Sequence, residues 1–328
     1  MIRYWFLAAR PKTLAAAVLP VGCATALAFA EGGGDWGAAL LCFLFAGIMQ
    51  IAANFINDLF DFKKGTDGED RLGPERACAQ GWISPKAMTV GIAVTLSIAA
   101  FTGLALLPYG GWQLLILGGA CFAGAFLYTA LLSYMALGDL LVWLFFGFVP
   151  VAGTFYVQNH TFTPSVWLLA AACGLVTDTL LVLNNFRDRE QDARNGKRTL
   201  VVVGGERFGS ALYLGQGILG YVLIALTALN GHLWCAILPL LYLLPHYLTW
   251  RKMMEINRGR ALNRVLGFTA RNILTFALLV IIALCIEGGT INYGIRNIQK
   301  EVLTFSTYFL EHPSKKVLTF STSFIEHP

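Results

Sequence analysis

The chain has 328 residues, of which 56% are hydrophobic and 13% charged, with a formal net charge of +5. Ordinary soluble domains carry roughly 25% charged residues, so this composition excludes that class and points to lipid as the solvent. A transmembrane β-barrel is excluded too, because the apolar residues come in long runs without two-residue alternation.

Crossing the hydrocarbon core takes about 20 consecutive apolar residues in a helix. Arg3, Arg10 and Lys12 precede the first such run, residues 14–30, and Pro11 suits the first position of its helix, where a missing N–H does no harm. A second run, 36–57, passes without interruption into NFINDLFDFKKGTDGEDR at 54–71. On a helix Asn54, Asp58 and Asp61 share one face, with Asn57 beside them. Leu72-Gly73-Pro74 and Gly81-Trp82-Ile83 follow, in a loop long enough to suggest a functional cover. Ser84 then suits the cap of a third helix, with Pro85 at its first position.

Residues 87–138 are uncharged for two spans, broken at Pro108-Tyr109-Gly110-Gly111. Tyr128-Thr129 closes the fourth, and Leu137-Gly138-Asp139 opens the fifth, at 140–156, where an acid complements the helix dipole. The sixth, 165–184, holds Asp178 well inside it, as a residue of the site or as a paired interior carboxylate. It leads into NNFRDREQDARNGKRTL at 184–200, where Asn184 and Asp188 repeat the four-residue spacing and Asn185, Asp188 and Asp192 form a second polar stripe. Residues 208–250 give two more spans, split at Asn230-Gly231-His232, and 265–286 gives the ninth.

The expected fold is therefore all-α: a polytopic membrane protein of about nine transmembrane helices. Basic residues favour the cytoplasmic side. All Lys and Arg except Arg296, Lys300, Lys315 and Lys316 lie before span one, after the even-numbered spans, or just inside span nine. Both acidic stretches follow even-numbered spans and so face the cytoplasm. The positive net charge is explained by topology, with no nucleic-acid partner required. The seven cysteines show no metal or disulfide spacing. The expected transmembrane domain is 1–290. The remainder, 291–328, contains EVLTFSTYFLEHP and, 15 residues later, KVLTFSTSFIEHP, a repeat with no assigned role.

Two carboxylate clusters at one membrane face suit Mg²⁺, a hard ion that takes oxygen ligands and commonly bridges carboxylate to phosphate. If the ligand is a prenyl diphosphate, the ion together with Lys63, Lys64, Arg71, Lys197 and Arg198 would neutralise the departing diphosphate. An electron-rich aromatic partner could then attack the allylic cation in a water-poor site. A cation transporter is the rival from another class, but its acids are expected near the bilayer midplane rather than at helix ends.

The motifs RPKTL at 10–14, NDLFDFKKGTDGEDRLGP at 57–74, LGD at 137–139 and NNFRDREQDARNGKRTL at 184–200 resemble those of the UbiA superfamily of intramembrane prenyltransferases. Within it they are most similar to the branch acting on 1,4-dihydroxy-2-naphthoate. The resemblance covers nearly all of residues 1–290. It implies Mg²⁺, a polyprenyl diphosphate donor, and prenylation of 1,4-dihydroxy-2-naphthoate with decarboxylation to demethylmenaquinone, in a bacterial inner membrane. Prenylation of another aromatic acid such as 4-hydroxybenzoate is the alternative. Matched residue by residue, it implies Asp58, Asp61, Asp67, Asp188 and Asp192 as metal ligands. Tyr128 falls near the reacting carbon, and Asn57 and Asn185 fall on the substrate; Asn54, on the same helix face as Asp58 and Asp61, is a further candidate there. The loop at 130–136 carries no charge, so a carboxylate-bearing acceptor needs a cation from elsewhere, the nearest being Arg10, Lys12 and Arg71.

Overall fold

A computed structural model describes residues 1–65, 72–130 and 136–311, without the side chains of residues 12, 128–130 and 290–311. A short helix α1 (Ile2–Ala9) ends at Arg10, which turns left-handed (φ 50°) so that Pro11 can start α2 (Pro11–Ala30). Then come α3 (Trp36–Lys64), α4 (Pro85–Ala105), a single turn α5 (Leu107–Gly110) and α6 (Gln113–Ala130). Helices α7 (Gly138–Trp143) and α8 (Val149–Asn159) are joined by a π-helical turn over Leu144–Phe148 into one apolar rod. Next are α9 (Pro164–Arg194), α10 (Leu200–Ala225), α11 (Trp234–Ile237), α12 (Leu243–Ile256) and α13 (Leu262–Glu311).

Seven stretches of the described residues are long and apolar enough to cross a bilayer: Thr13–Ala30, Trp36–Lys64, Pro85–Ala105, Gly138–Asn159, Pro164–Arg194, Leu200–Asn230 and Leu262–Gly289. The protein is thus a helical integral membrane protein, and each of these stretches contains one expected span. The other two expected spans have a different form. In α6 the apolar part is limited to Gln113–Leu127. Between 234 and 256 the chain passes from α11 through a 3₁₀ turn, Leu238–Tyr242, into α12. Pro239 and Pro245 lack the N–H that a continuous α-helical ladder would use there.

Local chemistry explains the helix starts. Asp35 Oδ1 accepts the Ala38 N–H at 2.7 Å ahead of α3, and Ser84 Oγ accepts the Ala87 N–H at 3.2 Å ahead of α4, with Pro85 at its first position as expected. Helix α13 runs through residue 290 to Glu311 as one helix, while the second copy of the tail repeat lies outside the described residues.

Helix α9 is the central post, packed against α10, α13, α8 and the π-helical turn. Lipid tails are as apolar as leucine, so such packing depends on close van der Waals contact and small residues. Ala170, Ala172 and Gly174 meet that need on α9. A Cβ on Gly147 would collide with the Ala170 carbonyl, and one on Gly174 with Trp143, whose indole N–H donates to the Ala171 carbonyl at 3.1 Å.

A polar clasp closes the end of the bundle where α2 finishes and α3 begins. His232 lies between two carboxylates, with Nδ1 2.9 Å from Glu287 Oε2 and Nε2 3.2 Å from Glu31 Oε1. Glu31 also accepts from Thr163 Oγ1 at 3.1 Å, and Glu287 accepts the Trp234 N–H. Four segments of chain meet in one buried knot. Burial alone would lower the His232 pKa, but the hydrogen bonds and charges of Glu31 and Glu287 outweigh it and raise the value above the ordinary 6.5. The stabilisation from charged His232 is therefore fully present below the unfolded value and is lost as the pH rises through the raised folded value. Resistance of the detergent-solubilised protein to denaturant should fall as the pH rises above the ordinary histidine value of about 6.5, and His232→Gln should remove that dependence. An unchanged pH profile in the variant would show that the clasp does not carry this charge.

Candidate active site

Helices α3 and α9 have 29 and 31 residues. At 1.5 Å per residue they are about 44 and 46 Å long, well over the roughly 30 Å of hydrocarbon. Both run towards the same face, so their last turns overhang it, and these are the turns that carry the acids. Beneath them lies a cavity of about 320 Å³ bounded by α2, α3, α6, α7, α8 and α9. Its wall is mostly apolar, with Phe45, Met49, Leu117, Phe145 and Val149 among its members, and polar groups come from Thr13, Gln50, Asn57, Thr177 and Asn184. Asn57 and Asn184 line the cavity, and Asp61 and Asp188 stand one helical turn further along α3 and α9, beyond its lining.

The polar face expected on α3 divides in two. Asn54 and Asp58 are almost fully enclosed, 2% and 1% exposed, and serve the scaffold. Asn54 donates to the Ala9 carbonyl at 2.9 Å and to Thr13 Oγ1 at 3.0 Å, which ties α3 to the α1–α2 junction. Asp58 accepts the backbone N–H groups of Ala77 and Cys78, each at 2.9 Å, and so pins the loop that follows α3. Asp58 thus anchors the loop, and its role as a metal ligand, expected from the sequence, stays a proposal; Asn54 likewise ties α3 to the α1–α2 junction, with its substrate role a proposal. Asn57 and Asp61 are the pair left to the cavity end. Asp61 meets Arg76 at 3.0 Å, a partner that sequence reasoning did not single out. Lys63 and Lys64 are exposed at the end of α3. Asp67 and Arg71 lie outside the described residues, as does the side chain of Tyr128, which stands in the last turns of α6.

On α9, Arg187 grips Asp188 with two parallel bonds, Nε to Oδ1 at 2.7 Å and Nη2 to Oδ2 at 2.5 Å. Its third nitrogen, Nη1, donates to Asn263 Oδ1 at 2.7 Å, and Asn263 Nδ2 donates to the Leu72 carbonyl at 2.8 Å. Asp192 lies 3.6 Å from Lys197, while its Oδ2 is buried and accepts no hydrogen bond. Asn185 is buried beside Asp139, Lys197 and Thr199 in a small side pocket, and Arg198 is exposed. Asp178 accepts from Gln216 Nε2 at 2.5 Å, so it is a paired interior carboxylate rather than part of the cavity wall. Arg189 serves the scaffold too, joining the Phe186 and Asn257 carbonyls to Glu206.

Among the described residues, no three His, Cys, Asp or Glu side chains converge as a ready-made metal cage. The donors at the cavity end are all oxygens, from Asn57, Asp61, Asp188 and Asp192, and the Asp192 Oδ2 without a partner has capacity for a cation. That set fits a hard divalent ion bound jointly with an anionic ligand, the usual manner of Mg²⁺. Arg76, Arg187 and Asn263 were missed from sequence because nothing in their spacing ties them to residues 15 to 191 positions away.

Comparison with known proteins supports this reading. The profile of the UbiA prenyltransferase family matches residues 17–273. The 1,4-dihydroxy-2-naphthoate octaprenyltransferase of Escherichia coli (strain K12) is 38% identical over 252 residues, covering 72% of this chain and 82% of that one. The enzyme of the same name from Mycobacterium leprae is 33% identical over 295 residues, 87% of this chain and 97% of the other. Among solved structures, a UbiA homolog from Aeropyrum pernix K1 has a TM-score of 0.65 at 18% identity, covering 82% of this chain and 97% of that one. A UbiA homolog from Archaeoglobus fulgidus, bound to GPP and Mg²⁺, has a TM-score of 0.61 at 14% identity, covering 86% of this chain and 99% of that one. With the family profile spanning most of the chain, this protein belongs to the UbiA prenyltransferase family.

Proposed function

We propose that this protein transfers a polyprenyl group from a polyprenyl diphosphate to 1,4-dihydroxy-2-naphthoate with loss of CO₂, giving demethylmenaquinol, the quinol form of demethylmenaquinone, the step of menaquinone synthesis that its bacterial relatives are named for. The observation that carries the reading is the apolar cavity lined by Asn57 of α3 and Asn184 of α9, with Asp61 and Asp188 one helical turn beyond them. Diphosphate binds at the polar end and the hydrocarbon lies along the apolar wall.

Mg²⁺ fits the set Asn57, Asp61, Asp188 and Asp192, and when bound it supplies charge neutralisation for the diphosphate oxygens. Asp67 belongs to the same proposed ligand set. The chain's own basic groups, Lys63, Lys64, Arg71, Lys197 and Arg198, are placed by the two motifs to stabilise the leaving diphosphate. As the allylic C–O bond breaks, the carbon left behind is cationic, and the apolar wall excludes water that would quench it. A ring carbon of the acceptor forms the new C–C bond, its carboxylate departs as CO₂, and the diphosphate keeps the electron pair of the broken bond. Tyr128, in the last turns of α6, is given the role near the reacting carbon that the family resemblance implies. The distribution of Lys and Arg supports a cytoplasmic position for this end, and the bacterial relatives support a bacterial inner membrane. The catalytic unit is residues 1–290.

Purified protein in detergent should convert polyprenyl diphosphate and 1,4-dihydroxy-2-naphthoate to a decarboxylated product only with Mg²⁺ or a similar ion, and should prefer that acid to 4-hydroxybenzoate. Full turnover in chelator, or a product that retains its carboxylate, would refute the assignment. Truncation after Gly294 should leave insertion and turnover intact, measured by membrane fractionation and product formation.

The division of labour on α3 predicts two distinct losses. Asp61→Ala and Asp188→Ala should abolish most turnover while the protein still inserts, with a melting loss smaller than that of Asp58→Ala: each acid is about a quarter exposed, though each substitution takes one partner from a buried guanidinium, Arg76 or Arg187. Asp58→Ala instead leaves two buried N–H groups unpaired and should cost about 3 kcal/mol of stability, read by thermal unfolding and by protease sensitivity at residues 74–83. Equal melting of the Asp58 and Asp61 variants would contradict the anchoring role.

A further inference from the structure

We propose that Asn263 is a positioning residue for diphosphate binding: its carboxamide ties the Arg187–Asp188 pair on α9 to the backbone at Leu72, and so fixes the spacing between the two acidic clusters. This rests on the donor reading above and adds a residue to it from a third part of the chain. Asn263 lies in the first turn of α13, 76 residues from Arg187 and 191 from Leu72. Its oxygen accepts from Arg187 Nη1 at 2.7 Å, and its nitrogen donates to the Leu72 carbonyl at 2.8 Å.

The bridge continues on both sides. Arg187, 6% exposed, spends its other two nitrogens on Asp188. Four residues beyond Leu72, Arg76 meets Asp61 at 3.0 Å, and the next two residues donate their N–H groups to Asp58. A connected path thus runs from Asp188 through Arg187, Asn263 and the 72–78 backbone to Asp61. The centre of that path must accept from a guanidinium and donate to a carbonyl at once. A carboxamide does both; a carboxylate has no proton for the carbonyl, and a methyl does neither. Two anionic clusters that must share one diphosphate need a fixed separation, because a displacement of about 1 Å at such a site can cost around a hundredfold in rate.

The test uses the full-length protein in lipid nanodiscs, with Mn²⁺ and inorganic pyrophosphate as the probe. Binding is read by electron paramagnetic resonance, alongside the melting temperature and the KM of donor and acceptor separately. Asn263→Ala should weaken Mn²⁺–pyrophosphate binding and raise the donor KM about tenfold, the loss expected for a hydrogen bond to a charged group, with the acceptor KM unchanged. Asn263→Asp should lose as much, since its second oxygen faces the Leu72 carbonyl, and it carries the comparison if the alanine variant fails to insert. Unchanged Mn²⁺–pyrophosphate binding in either inserted variant overturns the proposal, as does an equal rise in both KM values. If the unaltered protein binds no Mn²⁺–pyrophosphate at all, the donor reading itself falls, and with it this role for Asn263.

Discussion

The structure depends on compensating several carboxylates held together at a membrane boundary. Two like charges 4 Å apart repel by about 1 kcal/mol in water and about 4 kcal/mol in a partly buried setting. Each candidate ligand carboxylate among the described residues accordingly has a cation beside it: Arg76 for Asp61, Arg187 for Asp188 and Lys197 for Asp192. Arg76 and Lys197 come from the loops after α3 and α9, whereas Arg187 stands on α9 itself beside the acid it pairs with. The overhang of α3 and α9 beyond the hydrocarbon makes the arrangement possible, because it puts the acids where water and loops can reach them.

Much of this was legible in sequence for a simple reason. Lipid forces backbone polar groups into helices, so apolar run length alone locates most spans. The starts of α2 and α4 were legible as well, because Pro11, Ser84 and Pro85 act locally. Less legible were the two weak spans. In α6 the apolar part is limited to Gln113–Leu127, and between 234 and 256 Pro239 and Pro245 interrupt the helical ladder, so apolar run length alone did not give their form.

The site was legible as a region but not residue by residue. Asn54, Asn57, Asp58 and Asp61 fall within a single helical stripe, and the periodicity that groups them cannot divide them. Positions 54 and 57 differ by about 60° around the helix, which is enough to send one side chain to the Ala9 carbonyl and leave the other on the cavity. The deciding partners, Ala9, Thr13, Ala77 and Cys78, belong to other segments. Asp178 illustrates the converse: an acid deep in an apolar helix invites a functional reading, yet its partner, Gln216, lies 38 residues away on α10 and settles it as a structural pair.

The two kinds of carboxylate at this face also differ in how readily they can be released. Asp61 and Asp188 are about a quarter exposed, while Arg76 and Arg187 beside them are 9% and 4% exposed, so water reaches the acids but hardly the guanidinium groups. A ligand can approach such an acid from the water side while the guanidinium keeps its place. Asp58 is enclosed and bonded to two backbone N–H groups, and separating it would leave buried donors without acceptors, a penalty of about 1–3 kcal/mol for each. A permanent anchor one turn from exchangeable acids keeps the loop in register while the acids change partners. That combination suits a site that must bind and release a highly charged ligand without losing the loop that covers it.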